Sequence, residues 1–532
     1  MKNFIIYFFT SVVLLFSGCD IKDPVDGIDI ILNQKDIATT VAVSFVDAAT
    51  GLQIGSASSK KISIDFSGQD KGQIISLKEL PLTSASTTNG IISFAIRNTR
   101  VPSIQSPVEF TIIASADGYL PVSENVSLIN TGSNPYEIRM VDVATPPDGA
   151  ASTTNVSVPS SNGTVSGDIT IATGNESVTN AASTMSIPSG TQVKDASGNT
   201  VSGSLSATLL YFNNKTKESL EAFPGGLIAK AVNSSGAAKK GFFTTAGFAE
   251  FSLQNQSGQK VKSFSGNTVE LSIDIPAGTI NKNTGSAVKN GDVIPVWSYD
   301  ESSGTWKYET ESTAAGPDSK GNFKVSFQSS HLSWWNLGWL DENVCSEGAT
   351  VNLNGNYASL RLEITDVNGN FIASKIVSST ENSVTFQNVP SGVPVRITAY
   401  DNLQCVNVMV GQSIISDLCG ANTNLDITTA GTSVNVTVEA FCPNRDPVLR
   451  VRPSIDIYIL NDCGERVIVG KMKDGFITLK SLVIGQSYIF GVYYDDDDDP
   501  STDNWHQSDT RVIDSNEYNF DYELDASICD DL

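Results

Sequence analysis

The densest run of possible ligands in this sequence is Asp495 to Asp499, five consecutive carboxylates, with Asp503 and Asp509 just beyond. Hard cations such as Ca²⁺ take about six to eight oxygens, and adjacent carboxylates repel one another unless something neutralises them. Asp495, Asp497, Asp499 and Asp503 are therefore the candidate Ca²⁺ ligands, and Ca²⁺ is the one cofactor the sequence raises. The run is no EF-hand: counting from Asp495, Pro500 and His506 fall where that loop needs glycine and glutamate. The expectation is a solvated loop tip. Two aromatic groups follow. Trp297, Tyr299 and Trp306 lie across an expected hairpin, and Trp334, Trp335 and Trp339 cluster after His331. Exposed, such flat apolar faces suit sugar rings; more often they fill a core. His331-Leu332-Ser333 is the one triplet with a catalytic look. His331 and His506 are the only histidines, which removes multi-histidine metal sites and most histidine-centred catalysis. No GxSxG, HExxH or phosphate-binding glycine loop occurs. The chain is expected to be no enzyme.

These residues must be held by strands. The chain has 532 residues, 40% of them hydrophobic and only 17% charged, with 42 glycines. That length suggests several domains. Strand-like stretches of β-branched and aromatic residues, such as Val41–Val46, Ser204–Phe212, Thr268–Ile275 and Leu360–Thr365, are punctuated by Gly, Asn and Asp. No later segment sustains a helical apolar period. The expected class is all-β, a tandem of β-sandwich domains. The net charge of −24 sets the chain against phosphate backbones, so no nucleic-acid partner is expected.

Lys2 followed by the apolar run Phe4–Phe16 is too short to span a membrane and the right length for a signal-peptide core. It ends in Leu15-Phe16-Ser17-Gly18-Cys19, which resembles a bacterial lipobox. That resemblance implies cleavage after residue 18, acylation of Cys19 and a partner in the membrane through the acyl anchor. The implied location is the cell envelope, on the surface or periplasmic face of the outer membrane. Residues 19–36 read as an acidic tether. Beyond Cys19 six cysteines remain, Cys345, Cys405, Cys419, Cys442, Cys463 and Cys529, an even set that reads as three disulfides in an exported chain.

Ile187-Pro188-Ser189-Gly190-Thr191 recurs as Ile275-Pro276-Ala277-Gly278-Thr279, an offset of 88 residues, at which Tyr211 meets Tyr299. This predicts an internal duplication within 165–341. The same region carries Phe223-Pro224-Gly225-Gly226-Leu227, Thr245-Ala246-Gly247-Phe248-Ala249-Glu250 and Pro295-Val296-Trp297-Ser298-Tyr299-Asp300. With the Ile-Pro-x-Gly-Thr element, these resemble the ectodomains of the astroprincin family and of cartilage intermediate layer protein, and ZU5 domains. The resemblance implies an extracellular β-sandwich without a known catalytic site. A second pattern, strand, Asp/Asn…Gly turn, strand, occurs at Val43–Ile54, Leu360–Ile372 and Ile455–Val469. It is similar to the carboxypeptidase regulatory-like, transthyretin-like domain. The expected order is a sandwich at 37–144, a Pro/Ser/Thr-rich linker at 145–164, the astroprincin-like domain at 165–341, and sandwiches at 343–428 and 432–532. Aligning the last two copies suggests bridges Cys345–Cys419 and Cys442–Cys529, with Cys405 and Cys463 left over.

His331-Leu332-Ser333 resembles the self-cleavage site of adhesion-receptor GAIN domains. By that resemblance His331 is the base and Ser333 the nucleophile on a strained turn. The flanking cysteines of that motif are missing. Three readings of function follow: a non-catalytic scaffold or adhesion module binding a surface protein, a carbohydrate-binding lipoprotein using the aromatics, and a protein self-cleaved at Leu332-Ser333.

Overall fold

The computed structural model describes residues 30–33, 37–55, 60–443, 448–493 and 505–523. Strands dominate it; among the described residues one short α-helix, Lys217–Glu221, and one 3₁₀ turn, Lys71–Gln73, interrupt them. The class is all-β.

The first domain is two four-stranded sheets face to face. Ile62–Ser67 shows why: Ile62, Ile64 and Phe66 turn inward while Ser63 and Asp65 face out, the period of a half-buried strand. Phe66, Phe94 and Phe110 meet edge to face between the sheets, centroids 5.1 to 6.4 Å apart. The three Asp/Asn…Gly turns share one chemistry. Asp47 accepts from the Ala49 and Thr50 N–H groups, Asp366 from Asn368 and Asn370, and Asn461 from Cys463 and Glu465. Each side chain replaces a backbone partner and fixes the hairpin. In the first copy the return strand shrinks to one bridge, Val46 to Gln53.

Two boundaries read from the sequence are corrected. Residues 145–164 are no linker, because Ala150–Val158 is a strand paired antiparallel with Leu205–Phe212. It lies at the end of its sheet, where one edge and most side chains meet solvent, so Ser and Thr serve as well as Val. The acidic tether at 19–36 likewise contains a strand. Ile30–Asn33 pairs in parallel with Leu449–Arg452 and so belongs to a sheet of the fourth domain. Residues 19–29 and 34–36 lie outside the described residues.

In the second domain one sheet runs, in spatial order, Ala150–Val158, Leu205–Phe212, Ala238–Asn255, Trp334–Asp341, Val293–Asp300, Thr305–Ala315, Phe323–Ser329, Val269–Ile275, Ser183–Ile187, Ile169–Ala172. The two Ile-Pro motifs end neighbouring antiparallel strands, with Met185 opposite Leu271. The two Tyr-bearing strands flank the central pair Ala238–Asn255 and Trp334–Asp341 symmetrically. The two motif copies thus sit side by side in one sheet.

The domains share cores. Tyr458, Ile468 and Tyr493 of the fourth lie in the first domain's hydrophobic cluster. Ala48, Leu120 and Val141 of the first and Phe371 of the third lie in a cluster of the second. Leu403 and Ala358 of the third join the fourth. Cys345 is bonded to Cys419 within the third domain, and Cys405 to Cys463 across the third and fourth. Cys442 is also disulfide-bonded; Cys529 lies outside the described residues.

Candidate functional site

The aromatic groups are buried, as the core reading expects, which corrects the sugar-binding one. Trp297, Tyr299, Trp306, Trp334, Trp335 and Trp339 each keep no more than 5% of their surface. Trp306 explains the motif around it. Its indole N–H donates to the Pro224 carbonyl at 3.0 Å, its ring stacks on Phe223, and Tyr299 lies 5.0 Å away. Gly225 sits in the left-handed region under Tyr299, and a Cβ there would come within 2.9 Å of the Tyr299 hydroxyl. The Phe-Pro-Gly-Gly turn and the Trp-Ser-Tyr strand are two halves of one packing unit. Trp306→Ala is expected to cost about 3–5 kcal/mol of stability by opening a cavity. Denaturant unfolding checks this, and a fully stable variant would refute the buried placement.

The His331-Leu332-Ser333 triplet is not assembled for cleavage. The Ser333 hydroxyl donates to the Tyr299 carbonyl, and the His331 ring lies against Trp335 at 4.9 Å. Burial lowers the His331 pKa. Residues 331–333 avoid the left-handed region, and His331 makes one isolated antiparallel bridge to Ser263. Asp495, Asp497, Asp499 and Asp503 lie outside the described residues. Among the described residues no group of three or more His, Cys, Asp or Glu is placed to hold a metal ion.

The densest cluster of charge joins three domains. Glu137 and Arg139 come from the first domain's strand Gly132–Met140. Lys217 and Glu221 come from the second domain's helix, and Arg361 and Glu363 from the third domain's strand Ser359–Asp366. Arg139 pairs with Glu137 at 2.8 Å and Glu221 at 3.4 Å. Arg361 pairs with Glu221, with Glu363 at 3.5 Å and with Glu137 at 3.9 Å; Lys217 pairs with Glu363 and Glu221. Burial pushes the Glu137 carboxyl up, but Arg139 and Arg361 outweigh it and hold it below its ordinary value. Burial likewise lowers Arg361, and Glu137, Glu221 and Glu363 together raise it. Three acids answer three bases, so no charge is left over for acid–base work. The cluster orients the domains.

A cleft of about 250 Å³ opens beside it, extending to the fourth domain at Glu465 and Arg466. Here the Gln53 N–H donates to Glu465 at 2.9 Å and Arg466 donates to the Asn89 carbonyl at 3.1 Å. Sequence reasoning missed all of these residues. Within Leu360-Arg361-Leu362-Glu363-Ile364 the charges alternate with apolar residues as on a solvated strand, and nothing in that pattern reveals that another domain covers the polar face.

Several carboxyls sit high, three of them near neutral pH. Burial raises Glu124 and Glu381 to about 7 and Glu250 to about 8. Glu250 Oε2 has no hydrogen-bond partner among the described residues. The folded state keeps protons on these groups that the unfolded chain gives up near its ordinary carboxyl pKa. Their contribution is complete below that value and is lost as pH rises through 7 to 8. The melting temperature is therefore expected to fall between pH 5 and pH 9, and Glu250→Gln to flatten the upper part of that decline. A curve that stays level or rises across the range would contradict the raised values.

No family model matches the chain and no curated protein matches it. Solved structures it is similar to include the Bacillus anthracis TIE protein, at 10% identity over 70% of this chain and 74% of that chain, TM-score 0.14. The T6 backbone pilin of serotype M6 Streptococcus pyogenes matches at 10% identity over 85% and 96% of the two chains, TM-score 0.12. A biofilm associated protein BSP domain matches at 9% identity over 94% and 99%, TM-score 0.09. Likenesses this distant carry no argument about function. Among the described residues no helix is long and apolar enough to cross a membrane, which says nothing of a β-barrel.

Proposed function

We propose that this chain is a lipid-anchored, non-catalytic module of the bacterial envelope that presents one rigid body for adhesion or scaffolding. The supporting observation is the joining of four sandwiches by shared cores, a buried ion cluster and an interdomain disulfide. A binding or scaffold surface gains from such stiffness, since little order is lost when a partner docks. The expected partners are the membrane, through acylated Cys19, and a surface protein or glycan. With the aromatics buried, the carbohydrate reading has no exposed stacking face of theirs to stand on.

The test is on cells. Fatty-acid labelling of the protein should be lost in Cys19→Ala, and protease shaving of intact cells should release the labelled form's body. Cells lacking the protein should adhere less to their substratum and recover with the intact gene but not with a soluble, unanchored form. Equal labelling of both forms would reject the anchor, and unchanged adhesion would reject the function.

A further inference from the structure

The outer face of the third domain's four-stranded sheet is divided. Arg361 and Glu363 on Ser359–Asp366 carry the ion pairs that meet the first and second domains. The sheet ends at Met409–Ile415, whose strand partner among the described residues is Val395–Asp401; at its other edge the Thr428 N–H holds the Val410 carbonyl at 2.9 Å, and from Gly411 to Ile415 no strand pairs with that edge. Its side chains divide: Val410 and Ile415 pack on the core, whereas Met409 and Ile414 are 58% and 63% exposed. Val406 and Val408, which lead into it, are also exposed. From Asn402 to Ile415 there is no Asp, Glu, Lys or Arg, in a chain of net charge −24. Soluble proteins guard sheet edges with charges, prolines or bulges, because an open apolar edge pairs with another chain. The one irregularity here, opposite Ala399 and Tyr400, lies at the start of the strand and leaves Gly411–Ile415 in regular register.

We propose that this edge joins two copies of the chain, paired antiparallel along Gly411–Ile415 across a two-fold axis. A self-complementary contact brings the same patch of both copies together. Molecules this acidic repel one another over most approaches, but here an uncharged run meets an uncharged run. The strip is also continuous with an established interface, since it extends the sheet face that already docks the first and second domains. Main-chain hydrogen bonds would close the open edge, and Met409 and Ile414 would be covered.

Analytical ultracentrifugation of the chain lacking residues 1–19, from micromolar to submillimolar concentration, tests this. The weight-average mass is expected to rise from one chain to two, and more readily in high salt, which screens the repulsion without touching an apolar contact. Met409→Asp with Ile414→Asp should stay monomeric with an unchanged melting temperature, because both side chains are exposed. Gln412→Lys gives a second disruption at an exposed position, should the double variant fold poorly. Ser413→Cys, at the position that faces itself across the two-fold axis, should yield an oxidised, covalent dimer. A chain monomeric throughout the range overturns the proposal. So does a dimer that persists when the edge carries charge, since it is joined elsewhere.

Discussion

Arg361→Met is expected to destabilise the protein by about 3–5 kcal/mol, the cost of leaving buried charge without its partner. The guanidinium answers Glu137, Glu221 and Glu363 at once, from three domains, and is 7% exposed. Without it Arg139 and Lys217 face three carboxylates. Arg361→Lys restores one charge but not the planar fork that reaches several acids, so it should recover only part of the loss. Urea unfolding measures both. A loss below roughly 1 kcal/mol, the range of exposed pairs, would mean that water reaches the cluster and that it does not hold the domains.

The second large effect concerns Cys405–Cys463. The bridge closes a loop of 58 residues between the third and fourth domains. In the chain-entropy account, Cys405→Ser with Cys463→Ser should cost about 4 kcal/mol. The loss should be regional. Hydrogen exchange should quicken in the fourth domain and where it meets the first, around Tyr458 and Ser93, whose hydroxyls lie 3.1 Å apart. It should change little in the sheet around Ser183–Ile187. Uniform acceleration, or none, would argue against a clasp between those domains.

The all-β class was legible because strand periodicity is local: Ile62, Ile64 and Phe66 announce their face without help from the rest of the chain. The three turn residues Asp47, Asp366 and Asn461 were legible for the same reason. What the sequence hid was which faces meet. Arg361 and Glu363 have the spacing of a wet face and lie under two other domains. Ala150–Val158 has the composition of a linker because an edge strand is half wet. Trp297 and Trp306 have the chemistry of a ligand platform, but Phe223 and Phe243 cover them. Cys405 and Cys463, a remainder when the last two domains were aligned with each other, are bonded between those domains. Aligning repeats cannot reveal a bond that joins unlike positions.

The placement of Ile30–Asn33 separates the order of synthesis from the order of folding. This strand is made long before its partner Leu449–Arg452, which belongs to the fourth domain. The first domain's core also waits, for Tyr458, Ile468 and Tyr493. At ribosomal speeds of about 5–20 residues per second, the gap is on the order of 20–80 s. Until then the first domain exposes the apolar surface that those residues cover. The fourth domain is thus the step that closes the first, so deleting it should harm the first domain as much as the one removed.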